Sequence, residues 1–193
     1  MVEVVEASGE TDNIYFVFWT DNGWMMGQHG LRAKPGPEAD GNRHAYLESI
    51  SFPMLVKGPG VRRGATDERI VMNQDLAPTF ADLANARIPA FVDGRSMGPI
   101  FDDIGAWREV GLIESAPRLQ AGYPPRYRGI RAEDYTYVEY ATGEREYYDL
   151  VADPYQLENG YGALTDERKA ELAARLNALK RCKGSLCRDT EAP

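Results

Sequence analysis

Ile14-Tyr15-Phe16-Val17-Phe18-Trp19 is a run of β-branched and aromatic residues without polar alternation. Such a run predicts a strand covered on both faces, as in a parallel sheet flanked by helices. The residues before it, 2–9, place Val2, Val5 and Ala7 among acids and predict the tail of a helix closed by Ser8-Gly9, a C-terminal glycine cap. A helix running through the polar turn Glu10-Thr11-Asp12-Asn13 into a doubly covered strand is an α/β unit entered in mid-fold.

Residues 21–49 carry no periodicity and hold Gly23, Gly27, Gly30, Pro35, Gly36, Pro37 and Gly41. Long segments of this kind, when ordered, are usually functional, and this one lies at the C-terminal end of the strand, where α/β sheets place ligands. Pro53-Met54-Leu55-Val56-Lys57 predicts a second short strand, stopped by Gly58-Pro59-Gly60. Residues 75–84 predict an amphipathic helix with Leu76, Phe80 and Leu83 on one face and Asp75 as N-cap. Beyond residue 105 the pattern changes to short alternating strands at 109–114, 127–131, 135–140 and 146–150, with turns at Glu133-Asp134 and Thr142-Gly143, which predicts a small antiparallel sheet. A closing helix is expected over 165–181, with Thr165 as N-cap, Leu172, Leu176 and Leu179 as its buried stripe, and Lys180-Arg181 in its last turn.

Charge and hydropathy exclude several classes. With 22 Lys+Arg against 30 Asp+Glu the formal charge is −8, the wrong sign for a nucleic-acid partner. No apolar run approaches the roughly 18–20 residues of a membrane span, and Met1-Val2-Glu3-Val4-Val5-Glu6 lacks the features of a secretory signal. Cys182 and Cys187 in Cys-Lys-Gly-Ser-Leu-Cys are compatible with a small disulfide loop or with free thiols; with only His29 and His44 as histidines, a structural zinc site is disfavoured.

Few residues offer chemistry. Asp21-Asn22 in Thr20-Asp21-Asn22-Gly23 puts a carboxylate and an amide carbonyl, hard oxygen donors suited to Ca²⁺ or Mg²⁺, at the tip of the buried strand, although Asp-Asn-Gly is equally a turn sequence. Lys34, in the Gly-rich segment, could face an anion or simply solvent, and His29 in Gly27-Gln28-His29-Gly30 could meet a substrate or pack.

The order of these pieces carries further information. Phe18-Trp19-Thr20-Asp21-Asn22-Gly23, Gly27-Gln28-His29-Gly30-Leu31 with Lys34, Tyr46 through Gly60, Asp75-Leu76-Ala77-Pro78-Thr79, Asp93-Gly94-Arg95-Ser96, Tyr148-Asp149-Leu150 and Asp153-Pro154-Tyr155-Gln156-Leu157-Glu158-Asn159 resemble, in sequence order, the second half of the sulfatase family within the alkaline-phosphatase-like superfamily. The resemblance implies an α/β fold: residues 1–104 as the C-terminal part of a doubly wound sheet, residues 105–193 as a small antiparallel-sheet subdomain with a terminal helix. It implies hydrolysis of sulfate esters on a sulfated small molecule or sulfated sugar. Asp21 and Asn22 would be ligands of a divalent cation, Ca²⁺ or another such as Mg²⁺, Lys34 a catalytic contact to the sulfate oxygens, and His29 a substrate contact; Asp75 is expected to be an N-cap or a structural residue.

No Cys-x-Pro-Ser-Arg or Ser-x-Pro-Ser-Arg motif occurs, so the formylglycine nucleophile of the family, its early acidic ligands and its upstream Lys and His are expected in a missing N-terminal half, and the chain alone is expected to be inactive. The Cys182/Cys187 pair before Arg188 resembles the C-terminal end of secreted bacterial members. Alternatives are a non-catalytic binding module derived from a sulfatase, or part of a related phosphatase or phosphonate hydrolase.

Overall fold

A computed structural model describes residues 1–32, 44–115 and 125–192. Helix α1 (Val2–Ser8) ends where predicted: Gly9 takes φ 78°, the left-handed conformation in which glycine has no Cβ penalty, and its N–H donates to the Glu6 carbonyl. Strand β1 (Phe16–Phe18) follows. Its partner is β2 (Leu55–Lys57), and the pairing is antiparallel, with Val17 opposite Val56.

The expected covering of both faces of this strand is not met among the described residues. Val17 packs on the buried cluster of Leu76, Met97, Ile100 and Trp107, but Phe18 is 61% exposed and Leu55 65% exposed. One edge of β1 is paired, by a three-residue strand. The expectation of a parallel, doubly covered strand therefore needs more neighbours than these residues supply.

The segment from 21 to 49 is less irregular than expected. It contains a 3-10 turn at Gln28–Gly30, a bridge between Met26 and Arg32, and helix α2 (Leu47–Ile50). A four-residue helix is one turn, too short to show a period in the sequence. After β2, a 3-10 turn at Asn73–Asp75 runs into α3 (Leu76–Leu83), and α4 (Gly98–Phe101) follows, unforeseen for the same reason as α2. Phe80 does not join the buried stripe of α3; it is 42% exposed, with its ring 6.3 Å from that of Trp19.

The four later strands are close to expectation: β3 (Val110–Glu114), β4 (Tyr127–Ala132), β5 (Tyr135–Tyr140) and β6 (Arg145–Asp149) form an antiparallel sheet in sequence order. Helix α5 (Asp166–Leu179) begins at the Thr165 hydroxyl, which accepts the Arg168 N–H, and ends before Lys180-Arg181. Period-two alternation gives the sheet two faces. Val110, Ile130, Tyr135 and Tyr137 pack with Leu172, Leu176 and Leu179 of α5. Tyr127 and Val138 face the other way, against Ala45.

A terminal helix, α6 (Ser185–Glu191), was not predicted. Cys182 and Cys187 form a disulfide that closes the turn between α5 and α6, which resolves the choice between disulfide and free thiols. The bridge spans five residues, so chain-entropy reasoning assigns it roughly 2 kcal/mol. Replacing both cysteines by serine is expected to lower stability by about that amount and to expose α6 to limited proteolysis; equal denaturation midpoints for the two proteins would show that the bridge does not hold the terminus.

Asp75 is where the structure departs from its expected local role. Its carboxylate does not cap α3. It is fully buried and accepts four hydrogen bonds: from the backbone N–H groups of Met72 (2.8 Å) and Arg95 (3.0 Å), and from Nη1 and Nη2 of Arg108, both at 2.6 Å. Glu191 of α6 stands 2.9 Å from Arg95 Nη2 and 3.1 Å from Arg108 Nε. The aspartate is thus structural, and the cluster ties the start of α3, the Asp93–Ser96 loop, the lead into β3 and the last helix to one another.

Candidate functional site

The turn after β1 is shaped by contact with α2. Gly23 donates its N–H to the Ser49 carbonyl at 3.0 Å, and a Cβ at this position would stand 2.1 Å from the Glu48 carbonyl oxygen and 2.5 Å from that of Ser51. Only glycine fits so close an approach, so the Gly of Asp21-Asn22-Gly23 is required by packing. The Thr20 hydroxyl donates to the Asn22 carbonyl and the Asn22 side-chain amide to the Gly23 carbonyl, while Asn73 Nδ2 donates to the Asp21 carbonyl at 2.8 Å. The strand tip is held from both sides.

Asp21 and Asn22 line a groove of about 650 Å³. Its walls are Ser49–Phe52, Met54, Asp67–Gln74 and, on the sheet face away from α5, Gly111, Ile113, Tyr127 and Arg131. The lining mixes charged and polar side chains with apolar ones such as Met72 and Ile113, a combination suited to a sugar ring with charged substituents.

His29 stands elsewhere. It adopts φ 54°, ψ 19° in the turn at Gln28–Gly30, and its ring stacks on Tyr46 with centroids 3.7 Å apart and planes within 6°. Its Nε2 is 3.8 Å from Glu48 Oε2. Tyr46 in turn meets Tyr148 of β6, their centroids 6.1 Å apart, and Glu146 accepts from the Tyr140 hydroxyl at 3.0 Å. Burial pushes the Glu146 carboxyl above its ordinary range, against hydrogen bonds from Tyr140 and Tyr148 that hold it down. Burial also pushes the Tyr46 and Tyr148 hydroxyls up. His29 is not among the groove-lining residues, but Glu48, on the helix that holds Gly23, links the two places. Lys34 lies outside the described residues.

Asp21 and Asn22 have the donor chemistry of a Ca²⁺ or Mg²⁺ site, but such an ion takes about six to eight oxygens, or six for Mg²⁺. Among the described residues there is no group of three His, Cys, Asp or Glu side chains placed to hold a metal ion. The described residues alone offer part of a site.

Sequence reasoning missed Asn73, Arg131 and Gln156. Gln156, buried with φ 54°, accepts the Leu47 N–H on its side-chain oxygen at 2.7 Å and so anchors α2 from the C-terminal loop. Its place within Asp153–Asn159 was visible as a motif; its role depends on a contact across 109 positions.

An α/β chain whose strand tip carries an acid–amide pair, followed by a four-stranded antiparallel sheet and closing helices, has the architecture of the C-terminal portion of alkaline-phosphatase-like sulfatases. Comparison with known proteins agrees: residues 40–182 match the family described as N-sulphoglucosamine sulphohydrolase, C-terminal, and the chain belongs to this sulfatase family. It is similar to an N-acetylglucosamine-6-O-sulfatase of Bacteroides thetaiotaomicron, 30% identical over 93% of this chain and 31% of that protein. It is also similar to an ulvan-active sulfatase of Formosa agariphila, 33% identical over 92% of this chain and 34% of that protein. A solved structure of a protein in complex with its substrate D-glucosamine-2-N,6-O-disulfate superposes with a TM-score of 0.82 at 27% identity, over 99% of this chain and 38% of that one. The chain spans about a third of the length of the curated relatives it matches.

Proposed function

We propose that this chain supplies the C-terminal part of a sulfate-ester hydrolase acting on a sulfated sugar, with Asp21 and Asn22 contributing part of a divalent-cation site that residues outside the chain complete. The observation that carries the reading is the acid–amide pair at the tip of β1, fixed by Gly23 and Asn73 and lining a groove, in a chain of sulfatase family. A cation held there would supply charge neutralisation to a bound sulfate. The oxidised nucleophile of the family is proposed to come from outside the chain, which leaves the 193 residues inactive by themselves. Similarity to proteins named for sulfated glucosamine and for ulvan supports a sulfated sugar as the substrate class.

Lys34 is proposed to neutralise charge on the sulfate oxygens. His29, stacked on Tyr46 and beside Glu48, is proposed as a substrate contact from outside the walls of the groove. The test is to express the chain joined to the further segments its relatives carry and to assay sulfate release from glucosamine 6-sulfate. Release is expected, and Lys34→Ala is expected to lower turnover by roughly 10²–10³, the usual loss on removing one preorganised electrostatic contact. A folded, oxidised protein that releases no sulfate from any sulfated sugar would overturn the reading, and full turnover in Lys34→Ala would remove the lysine from it.

A further inference from the structure

Arg131 is the feature of the groove that the proposed chemistry leaves unused. It stands on β4 opposite Gly111 of β3, on the sheet face that looks away from α5, and it lines the same groove as Asp21 and Asn22. Its Nη1 donates to the Ala132 carbonyl, with the carbonyls of Glu133 and Tyr135 each 3.5 Å away, so one corner of the guanidinium is anchored to the backbone.

The other charges of the groove are accounted for differently. Arg69 is paired with Asp67 at 2.6 Å and with Asp103 at 3.0 Å, and Glu114 with Arg128 at 2.6 Å. Among the described residues Arg131 forms no salt bridge; Glu133 and Asp134 act on it only at longer range. Burial pulls the ionisation of this guanidinium down, the mark of a cation partly stripped of water. A guanidinium that is anchored, partly desolvated and free of a carboxylate is built to take a planar or tetrahedral oxyanion through two donors.

We propose that Arg131 determines specificity: the groove takes a sugar bearing a second anionic group, a sulfate or carboxylate, and Arg131 meets that group while the first sulfate lies at Asp21 and Asn22. This rests on the functional reading above and names the substrate class more closely, as a doubly charged sugar.

Calorimetric titration in calcium-containing buffer tests it on the protein extended by the segments its relatives carry and prepared with its nucleophile unoxidised so that no sulfate is released, with glucosamine 6-sulfate and glucosamine-2-N,6-O-disulfate as probes. The disulfate is expected to bind about tenfold more tightly, the increment of one charge-assisted contact. Arg131→Gln is expected to bring the ratio close to one, and Arg131→Lys, which keeps the charge but loses the fork, to retain part of it. An unchanged ratio in Arg131→Gln, no preference in the unsubstituted protein, or no binding of the disulfate would each overturn the proposal. Asp21→Ala separates this from the functional reading: loss of binding for both sugars is expected. Retained binding in that variant would overturn the placement of the first sulfate while an Arg131-dependent preference still stood.

Discussion

Asp75→Ala is expected to lower the unfolding free energy by about 3–5 kcal/mol, because it leaves a buried guanidinium without its partner. The arithmetic follows from the geometry. Arg108 and Asp75 are both fully enclosed at the side chain and joined by two 2.6 Å bonds, and the remaining acceptor, Glu191, is shared with Arg95. Removing the carboxylate also orphans the backbone N–H groups of Met72 and Arg95. Against the roughly 5–15 kcal/mol that ordinarily stabilises a folded chain, such a loss is a large fraction. The double substitution Asp75→Ala with Arg108→Met is expected to be less damaging than Asp75→Ala alone, since no isolated charge then remains buried. Chemical denaturation of the three proteins measures this. A loss below about 1 kcal/mol in Asp75→Ala would show that the pair is solvated or dispensable.

The parts of the fold that were legible in the sequence are those whose stability is local. The strands at 110–114, 127–132, 135–140 and 145–149 alternate because one face packs on α5, and α5 announces itself through Thr165 and the spacing of Leu172, Leu176 and Leu179. Gly9 marks its helix end through a conformation that only the local chain decides. What was not legible depends on distant partners. The four-residue helices α2 and α4 have no periodicity to read, and α6 is held by the disulfide and by Glu191 rather than by an apolar stripe. Asp75 has the residue type and position of an N-cap, and only the arrival of Arg108 from 33 positions away makes it a buried anchor. The run 14–19 reads as apolar and as covered on both faces; among the described residues Val17 is packed while Phe18 is exposed, since covering is a property of neighbours and not of the run itself.

The site divides in the same way. Asp21 and Asn22 were visible as hard donors at a strand tip, and the structure adds the reason for the third residue of the motif, the approach of Gly23 to within van der Waals exclusion of the α2 carbonyls. Asn73 and Arg131 have no signal of their own: an asparagine before a helix and an arginine in a strand are ordinary on both counts, and their interest comes from the groove the fold closes around them.

In the protein extended by the segments its relatives carry, Asp21→Ala is expected to abolish divalent-cation binding and sulfate release together, since it removes the one carboxylate this chain is proposed to bring to the ion. Loss of one charged ligand from a hard-cation site forfeits affinity that the neutral amide of Asn22 does not replace. Asn22→Ala is expected to weaken the ion without eliminating it. Because Asp21 receives the Asn73 bond through its backbone carbonyl, the substitution leaves that turn contact available.

The most direct measurement is therefore metal content and sulfate release determined side by side on the same preparations of the unsubstituted protein and Asp21→Ala. The account predicts a stoichiometric divalent cation and turnover of glucosamine 6-sulfate in the first and neither in the second, at equal thermal stability of the metal-free proteins. A variant that keeps its cation, or that loses the cation and still releases sulfate at the full rate, would contradict it.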